Sequence, residues 1–342
     1  MAGLVGLSGQ LWPIRYKPLP DELLSSWLVR LAHGHGLKVQ TFCNLLFGNQ
    51  RQVWNRDIDR LGPDWLVQEL SLRTGAPLAT AWNTTLGIYE GVLYPKMLAS
   101  GTLPWIQTLS MYHRTFTGYG LQFCPVCLKS DKVPHFRKAW RVAFHTVCAT
   151  HHCMLHDRCQ ACGAAVAFHR RDMQKRSIPD SIAACHNCGF DLGDCESKPI
   201  ATYDGEVASW HFQLCELVEG THSTPSGFDL DDLAVMRQFG KLLTSMYSTI
   251  TLREYACNVL AVQDMVLATG KLAFESRELS ERHHLIQLIG WFMLNLEPAL
   301  RGAWRAKAIR YNHMCKDFES APAWYRAVVE EFSNWRNCVQ RK

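Results

Sequence analysis

The stretch that decides the fold runs from Phe123 to Gly189. It opens with FCPVCLKSDKVPHFRKAWRVAFHTVCATHHCMLHDRCQACG over residues 123–163 and closes with CHNCG over residues 185–189. It contains four pairs of potential metal ligands, each pair with two residues between its members: Cys124 and Cys127, Cys148 and His151, Cys159 and Cys162, and Cys185 and Cys188. Such a gap lets both side chains of a pair face one ion, and zinc takes four ligands in a tetrahedron. The stretch therefore predicts two closed, structural zinc (Zn2+) sites.

The spacing of the pairs favours one way of sharing the ions. The first and second pairs are about twenty residues apart, as are the third and fourth, and each gap fits one zinc ribbon. Only seven residues separate the second pair from the third, which suits a junction between two ribbons. We therefore expect sequential pairing. A cross-brace, in which the first pair joins the third and the second joins the fourth, is the alternative.

Other roles for the cysteines are less consistent with the pattern. Disulfides need an oxidising compartment, and nothing in the sequence points to export. A redox site needs only one C-x-x-C pair, whereas this stretch holds three C-x-x-C pairs and one C-x-x-H pair. Next to the second ligand pair, His152, Cys153 and His156 are possible substitutes in the first site. The six remaining cysteines are scattered, and we expect them to be free thiols in the core: Cys43, Cys195, Cys215, Cys257, Cys315 and Cys338.

Composition bounds the class of protein. The chain has 342 residues, of which 47% are hydrophobic and 20% charged, as in a globular protein of two or three domains. A formal charge of +5 mildly favours an acidic partner such as nucleic acid. The first residues lack the basic start of a signal peptide, and the longest apolar run, residues 285–296, is too short to cross a bilayer. We expect a cytoplasmic protein that does not enter the membrane.

The N-terminal part is predicted to be helical. Asp21 is expected to cap a helix that extends to about residue 33, and a second helix is expected from Val39 to Phe47. Residues 63–86 predict a helix, a turn at Gly75, and another helix from Pro77 to about Leu86, which is the helix-turn-helix layout. The second of these helices offers Thr80, Asn83 and Thr84 but no arginine, so an ordinary helical corner is an equal alternative.

Basic residues recur near aromatic ones. Residues 136–144 interleave them, residues 169–176 are strongly basic, and residues 301–310 hold basic residues without an acid. This pattern suits contact with a phosphate backbone, although solvated loops and helix faces are a common alternative. The candidate nucleic-acid-binding residues are Arg137, Lys138, Arg170, Arg171, Lys175, Arg176, Arg301 and Arg305.

We therefore expect a mainly α protein with three domains. Residues 1–118 form a helical domain with the helix-turn-helix, residues 119–200 form tandem zinc ribbons with small β structure, and residues 201–342 form a helical C-terminal domain. In the last domain, amphipathic spacing predicts helices over residues 208–218, 230–247, 284–296 and 324–335. No phosphate-binding loop, nucleophile elbow or H-E-x-x-H motif is present, so no catalytic residue is assigned.

The order of these motifs resembles a known family. LPDELLSSWLVRLA, LSLRTGAPLATAWNTTLGIYEG and the cysteine-rich stretch, together covering about residues 18–190, are similar to the TniQ family of target-selection proteins in Tn7-like transposons, which includes TnsD. The resemblance implies no catalytic step. It implies a protein that connects a target site to the transposon's AAA+ ATPase (TnsC or TniB), which recruits the transposase. Some members read an attachment site in DNA, and others act with a CRISPR Cascade complex, often as a homodimer.

Three functions are candidates for this chain. The first is a transposition target-selection adaptor, and the relatively short C-terminal part favours delivery by Cascade over direct reading of DNA. The second is a zinc-dependent sequence-specific DNA-binding protein, either a direct attachment-site reader or a transcription regulator. The third is a metal enzyme such as a nuclease, which requires an open metal position that the ligand pattern does not provide.

Overall fold

The fold is mainly α-helical and divides into two compact units. The computed structural model describes residues 7, 10–48, 53–109, 118–172, 181–219, 227–246, 250–270, 272–316, 318 and 320–332. One unit comprises Met1–Ile200 with Val218–Gly220, and the other comprises Ala201–Leu217 with Thr221–Lys342. The N-terminal helices and the cysteine-rich stretch therefore lie in the same unit. A boundary near residue 118 within that unit stays a prediction.

Helices make up most of the regular structure in the described ranges. In the first unit they are α1 (Leu24–Gly34), α2 (Val39–Phe47), α3 (Ile58–Leu61), α4 (Asp64–Thr74), α5 (Leu78–Trp82) and α6 (Pro125–Ser130). In the second unit they are α7 (Gly205–Glu216), α8 (Leu230–Leu243), α9 (Leu252–Leu260), α10 (Leu279–Leu294), α11 (Leu296–Arg305), α12 (Tyr311–Met314) and α13 (Ala323–Glu330). The sheet consists of β1 (Val147–Cys148) and β2 (Cys153–Met154), which pair antiparallel. The prediction of a mainly α fold with small β structure is confirmed.

Helix α1 begins differently from the prediction. Its N-cap is Leu23, whose side chain cannot accept a hydrogen bond. Asp21 was the wrong choice because it adopts a left-handed φ of 55° and its carboxylate is turned to Lys138, 3.0 Å away, and to the backbone of Ala139. The first amides of the helix instead bond to distant parts of the chain. Leu23 N donates to Phe136 O, and Leu24 N donates to Thr84 O.

The next amide of α1 is capped by a buried ion-pair cluster. Asp59 accepts from Ser25 N at 2.7 Å and from Ser25 Oγ at 2.8 Å. The guanidinium of Arg141, which is 0% exposed, contacts Asp59 at 3.3 Å and Asp57 at 2.5 Å. Burial raises the pKa of Asp59 to about 6, although Arg141 opposes that shift. The cluster joins α1, α3 and the cysteine-rich stretch within the first unit.

Helices α4 and α5 form the predicted helix, turn and helix, but the second helix is short. Gly75 ends α4 with a φ of 66°, a left-handed conformation that glycine adopts without steric cost. Helix α5 spans Leu78–Trp82 and does not reach Leu86. At its end, Asn83 N donates to Ala79 O, and Thr84, which is buried rather than outward-facing, donates its hydroxyl to Ala81 O at 2.6 Å.

The second unit is organised around α10. This helix packs against α7 and α8, and most of its residues are buried. Trp210 of α7 lies so close to Gly290 that a Cβ added there would be 2.6 Å from the indole ring. Helices α8 and α9 each begin with a capping box, at Asp229 and Thr251.

The predicted helix bounds of the second unit were displaced by several residues. Helix α7 begins at Gly205, α10 begins at Leu279, and α11 ends at Arg305, so the basic run 301–310 does not form one helix. Residues 247 and 335, the predicted ends of two helices, lie outside the described residues. Among the described helices, none has both the length and the apolarity that a membrane crossing requires.

Candidate metal centre

The first ligand group lies where α6 meets the β-hairpin. Cys124 is the N-cap of α6, and its sulfur accepts a hydrogen bond from Cys127 N at 3.4 Å, so both side chains face the same point. Cys148 ends β1 and His151 lies in the turn before β2. These two short elements thus bring together Cys124, Cys127, Cys148 and His151 as one four-ligand group.

The distances within this group fit a tetrahedral zinc ion. With bonds of about 2.3 Å to sulfur and about 2.0 Å to nitrogen, a regular tetrahedron has edges of about 3.8 Å between sulfurs and about 3.5 Å between sulfur and nitrogen. Cys127 Sγ is 3.7 Å from Cys148 Sγ. His151 Nδ1 is 3.6, 3.2 and 3.5 Å from the sulfurs of Cys124, Cys127 and Cys148. The donor atoms therefore already stand close to where a zinc ion would require them.

The second group is built from two loop turns. Cys159 Sγ is 3.7 Å from Cys188 Sγ, and Cys162 Sγ is 3.7 Å from Cys185 Sγ. Gly163 and Gly189, which directly follow the two pairs, have φ values of 72° and 84°. That conformation lets Gly163 N return to Cys159 O and Gly189 N return to Cys185 O, closing each turn around its sulfurs.

The grouping answers the question of pairing. The first pair joins the second and the third joins the fourth, so the arrangement is sequential and the cross-brace is wrong. Sulfur separations of 3.7 Å are far beyond the bond of about 2.05 Å in a disulfide. All eight cysteine and histidine positions assigned from the sequence are thus brought together.

Cys153 is the nearest rival to the four ligands of the first group. It pairs with Cys148 across the hairpin and its sulfur lies 3.7 Å from Cys124 Sγ. It does not approach all the other ligands as closely as they approach one another, and it lies outside the four-ligand group. His152 occupies a left-handed turn position with a φ of 47° between the two strands.

The two groups are held in one module. After the second group, the chain returns so that Met154 N donates to Lys198 O, and Lys129 of α6 forms an exposed ion pair with Asp194 at 2.9 Å. Gly193 lies against the backbone of Lys129, where an added Cβ would be 3.2 Å from the amide nitrogen. The close approach explains why a glycine stands there.

The basic residues around the metal groups have mixed surroundings. The guanidinium of Arg137 lies 2.8 Å from Asp131 and 4.7 Å from the ring centre of Trp140. Although burial opposes it, hydrogen bonding to Asp131 and the charge of Cys127 raise the pKa of Arg137. Lys138 is 9% exposed and paired with Asp21. A phosphate would have to compete with these carboxylates.

The remaining basic candidates are more open. Arg170 and Arg305 are exposed, and Arg171 is half-buried. Arg301 is 42% exposed and contacts Glu297 at 2.7 Å and Glu331 at 2.9 Å. Lys175 and Arg176 lie outside the described residues.

The structure also brings together a group that the sequence analysis did not identify. Cys257, Asp264 and His284, in the second unit, place their donor atoms within 4.8 Å of one another. Cys257 is one of the scattered cysteines that were expected to be free thiols in the core. No local spacing would have joined it to a histidine in a different helix.

The N-terminal part of the chain matches the model of a known protein family. The TniQ family model matches residues 13–155, which include α1 to α6 and the whole first ligand group. None of the curated proteins compared with the chain matches it. The resemblance read from the motifs is thereby confirmed over residues 13–155, the part of the chain that matches the TniQ family model.

Proposed function

We propose that this chain is a transposition target-selection adaptor. It would connect a target-DNA-bound complex, either a CRISPR Cascade or an attachment site, to the transposon's AAA+ ATPase of the TnsC or TniB type, which recruits the transposase. The single observation that carries the proposal is the TniQ match over residues 13–155, a family associated with Tn7-like transposition. The chain would supply binding surfaces and no catalytic step of its own.

Within the adaptor, the metal groups serve the fold. We assign one structural zinc ion to each four-ligand group, so that metal binding supplies folding energy to loops that contain little regular structure. Each group provides four protein ligands, which leaves no position for a substrate or an activated water. Zinc binding by these cysteines requires a reducing compartment, in which they remain metal ligands and do not form disulfides.

The exposed surface of α4 and α5 favours docking to a protein over base reading. Leu72 and Leu78 are 52% and 45% exposed, and Ala79 and Thr80 are also open. Base reading normally uses arginine or lysine on guanine, or asparagine or glutamine on adenine. Helix α5 has none of these, and only Asn83 follows it. We therefore assign this surface, defined by Leu72, Leu78 and Thr80, to a protein partner.

DNA contact would then be weak and not sequence-specific. Arg170 and Arg305 are the exposed candidates in the described ranges, and Arg171, Lys175, Arg176 and Arg301 extend the set. Arg137 and Lys138 would contribute only by exchanging a carboxylate partner for a phosphate. Each phosphate contact lowers the logarithm of affinity by about 0.9 per tenfold rise in salt on double-stranded DNA.

The first experiment separates protein docking from DNA reading. The purified chain is footprinted on candidate target DNA alone, then with the ATPase and with Cascade. We expect a weak, salt-sensitive and sequence-independent interaction from the chain alone and a defined footprint only with a partner. A tight, sequence-specific footprint from the chain alone would instead establish the alternative, a zinc-dependent DNA-binding protein that reads its site directly or regulates transcription.

The second experiment tests the surface of α4 and α5. Leu78→Asp should weaken capture of the ATPase or of Cascade, because a carboxylate would be desolvated in an apolar contact. Leu98→Asp is the matched control, since Leu98 is also 45% exposed but lies outside both helices. Equal binding by the two variants would refute the assignment of this surface. Light scattering on the same samples tests whether the chain forms a homodimer, as the resemblance implies for some members of the family.

A further inference from the structure

Three potential metal donors meet in the second unit, away from the cysteine-rich stretch. Cys257 is a buried residue of α9, and His284 is a buried residue of α10. Between them, Ala261 ends α9 in a left-handed conformation with a φ of 53°, and the chain turns back so that Asp264 faces both helices. The three residues come from separate elements, and their meeting is a property of the fold.

The donor atoms fit one face of a coordination tetrahedron. Cys257 Sγ is 3.7 Å from Asp264 Oδ1 and 3.9 Å from His284 Nε2, and these last two atoms are 3.4 Å apart. A zinc ion with bonds of about 2.3 Å to sulfur and about 2.0 Å to nitrogen and oxygen needs edges of about 3.5 Å and about 3.3 Å. A small inward movement of the thiol would complete the face.

The second ring nitrogen of His284 has the partner that a metal-binding histidine needs. Tyr203 OH lies 2.5 Å from His284 Nδ1. With the Nδ1 proton donated to the tyrosine oxygen, Nε2 is left with its lone pair directed at the thiol and the carboxylate. Such an outer hydrogen bond fixes the tautomer and orientation of ligating histidines.

The same geometry argues against a nucleophilic relay. In a relay, the nucleophile contacts one ring nitrogen and the orienting carboxylate contacts the other. Here the sulfur of Cys257 and the carboxylate of Asp264 both approach Nε2. Donors that converge on one another, instead of standing in series, are the arrangement that an ion bridges.

The charges around the group are compatible with a divalent cation. A thiolate and a carboxylate would together balance the charge of the ion. Arg253 Nε at 2.6 Å and the amide of Met265 at 2.8 Å donate to Asp264 Oδ1, the same oxygen that faces Cys257 and His284; they hold the carboxylate in place, and an ion would share that oxygen with them. Asp264 is 27% exposed, which leaves an opening for a water or a partner's side chain as the fourth ligand.

We propose that Cys257, Asp264 and His284 form a third metal site, which takes a divalent ion of the zinc class. A mixed set of thiolate, imidazole and carboxylate suits zinc and cobalt, whereas magnesium and calcium prefer oxygen alone. With three protein ligands, this site is more open than the two groups of the cysteine-rich stretch. It does not depend on the proposed role in transposition.

The test is the difference in metal content between the full-length protein and its variants. After saturation with zinc and removal of loosely bound ions, the protein should hold about one equivalent more than Cys257→Ser, whatever the cysteine-rich stretch retains. Cys315→Ser, another cysteine of the same unit, should match the unaltered protein. If Cys257→Ser does not fold, Asp264→Asn keeps the size of the side chain and should also lose the ion.

A second measurement separates ligation from simple packing. Tyr203→Phe should bind this ion about 10–100-fold more weakly in a chelator competition, because the outer hydrogen bond is lost. Cobalt added to the protein should give thiolate-to-metal absorption that is reduced in Cys257→Ser. Equal metal content in the unaltered protein, Cys257→Ser and Asp264→Asn would overturn the proposal and leave a hydrogen-bonded polar cluster.

Discussion

Replacing Arg141 by methionine should strongly destabilise the first unit. The guanidinium is 0% exposed and holds two carboxylates, Asp57 at 2.5 Å and Asp59 at 3.3 Å. Asp59, whose side chain is 3% exposed, also caps the first turn of α1 through Ser25. Arg141→Met retains the apolar part of the side chain but leaves Asp59 without its counter-charge. Removing one partner of a buried ion pair costs about 3–5 kcal/mol.

The effect should depend on pH in a defined direction. Burial raises the pKa of Asp59 to about 6, above its ordinary value of about 3.9, so this group favours the folded state at acidic pH and that contribution is lost as the pH rises toward 6. Arg141 lowers this pKa, so in Arg141→Met it should rise above 6. While the folded state keeps this proton and the unfolded state has lost it, each further pH unit lowers the free energy of unfolding by about 1.4 kcal/mol. The destabilisation should therefore grow by up to about 2 kcal/mol between about pH 6 and pH 7.5.

Thermal unfolding followed by circular dichroism at the two pH values measures both effects. A loss of about 3–5 kcal/mol lowers the melting temperature of a domain of this size by about 6–20 °C. Arg73→Met is the control, because Arg73 is 25% exposed and pairs with Glu69 on the same helix, a pair worth about 0.3–0.5 kcal/mol. A loss no larger than that of the control, or one that is the same at both pH values, would refute this account of the cluster.

Three further predictions concern packing, capping and metal. Gly290→Ala should destabilise the second unit by about 1–3 kcal/mol, because the added Cβ would meet the Trp210 ring. The control Gly240→Ala, whose Cβ would have its nearest neighbour at 3.7 Å, should be neutral or stabilising. Equal melting temperatures of the two variants would contradict this prediction. Asp229→Ala should lower the free energy of unfolding by about 0.5–2 kcal/mol through loss of the α8 capping box, and denaturant titration that detects no change would argue against it. Cys162→Ser should lose about one zinc equivalent by elemental analysis and melt at a lower temperature; full zinc content would exclude Cys162 as a ligand.

Features with local causes could be predicted from the sequence. The eight candidate metal ligands of the cysteine-rich stretch, which the structure brings together in two groups, could be recognised because a metal-binding turn needs only two residues between its ligands. Helix α2 was predicted with the bounds that the structure has, and Gly75 was identified as the break after α4. Glycine at such a position follows from its own backbone freedom and requires no knowledge of the rest of the chain.

Features that depend on distant partners could not be predicted in this way. Asp21 had the right chemistry and place for a helix cap, yet its carboxylate bonds to Lys138 and the amides of α1 bond elsewhere. Lys138, a candidate for contact with nucleic acid, pairs with Asp21 in the structure, and Cys257 meets His284 only across two helices. The charge and hydrogen-bonding capacity of a residue follow from its type, but its partner is whichever group folding brings within about 3–4 Å. The sequence by itself determined the mainly helical class, the resemblance to the TniQ family and the two local groups of candidate metal ligands. The tertiary structure decided which charges are paired inside the protein, where α1 is capped and that a third group of donors exists, because each depends on contacts between residues far apart in the chain.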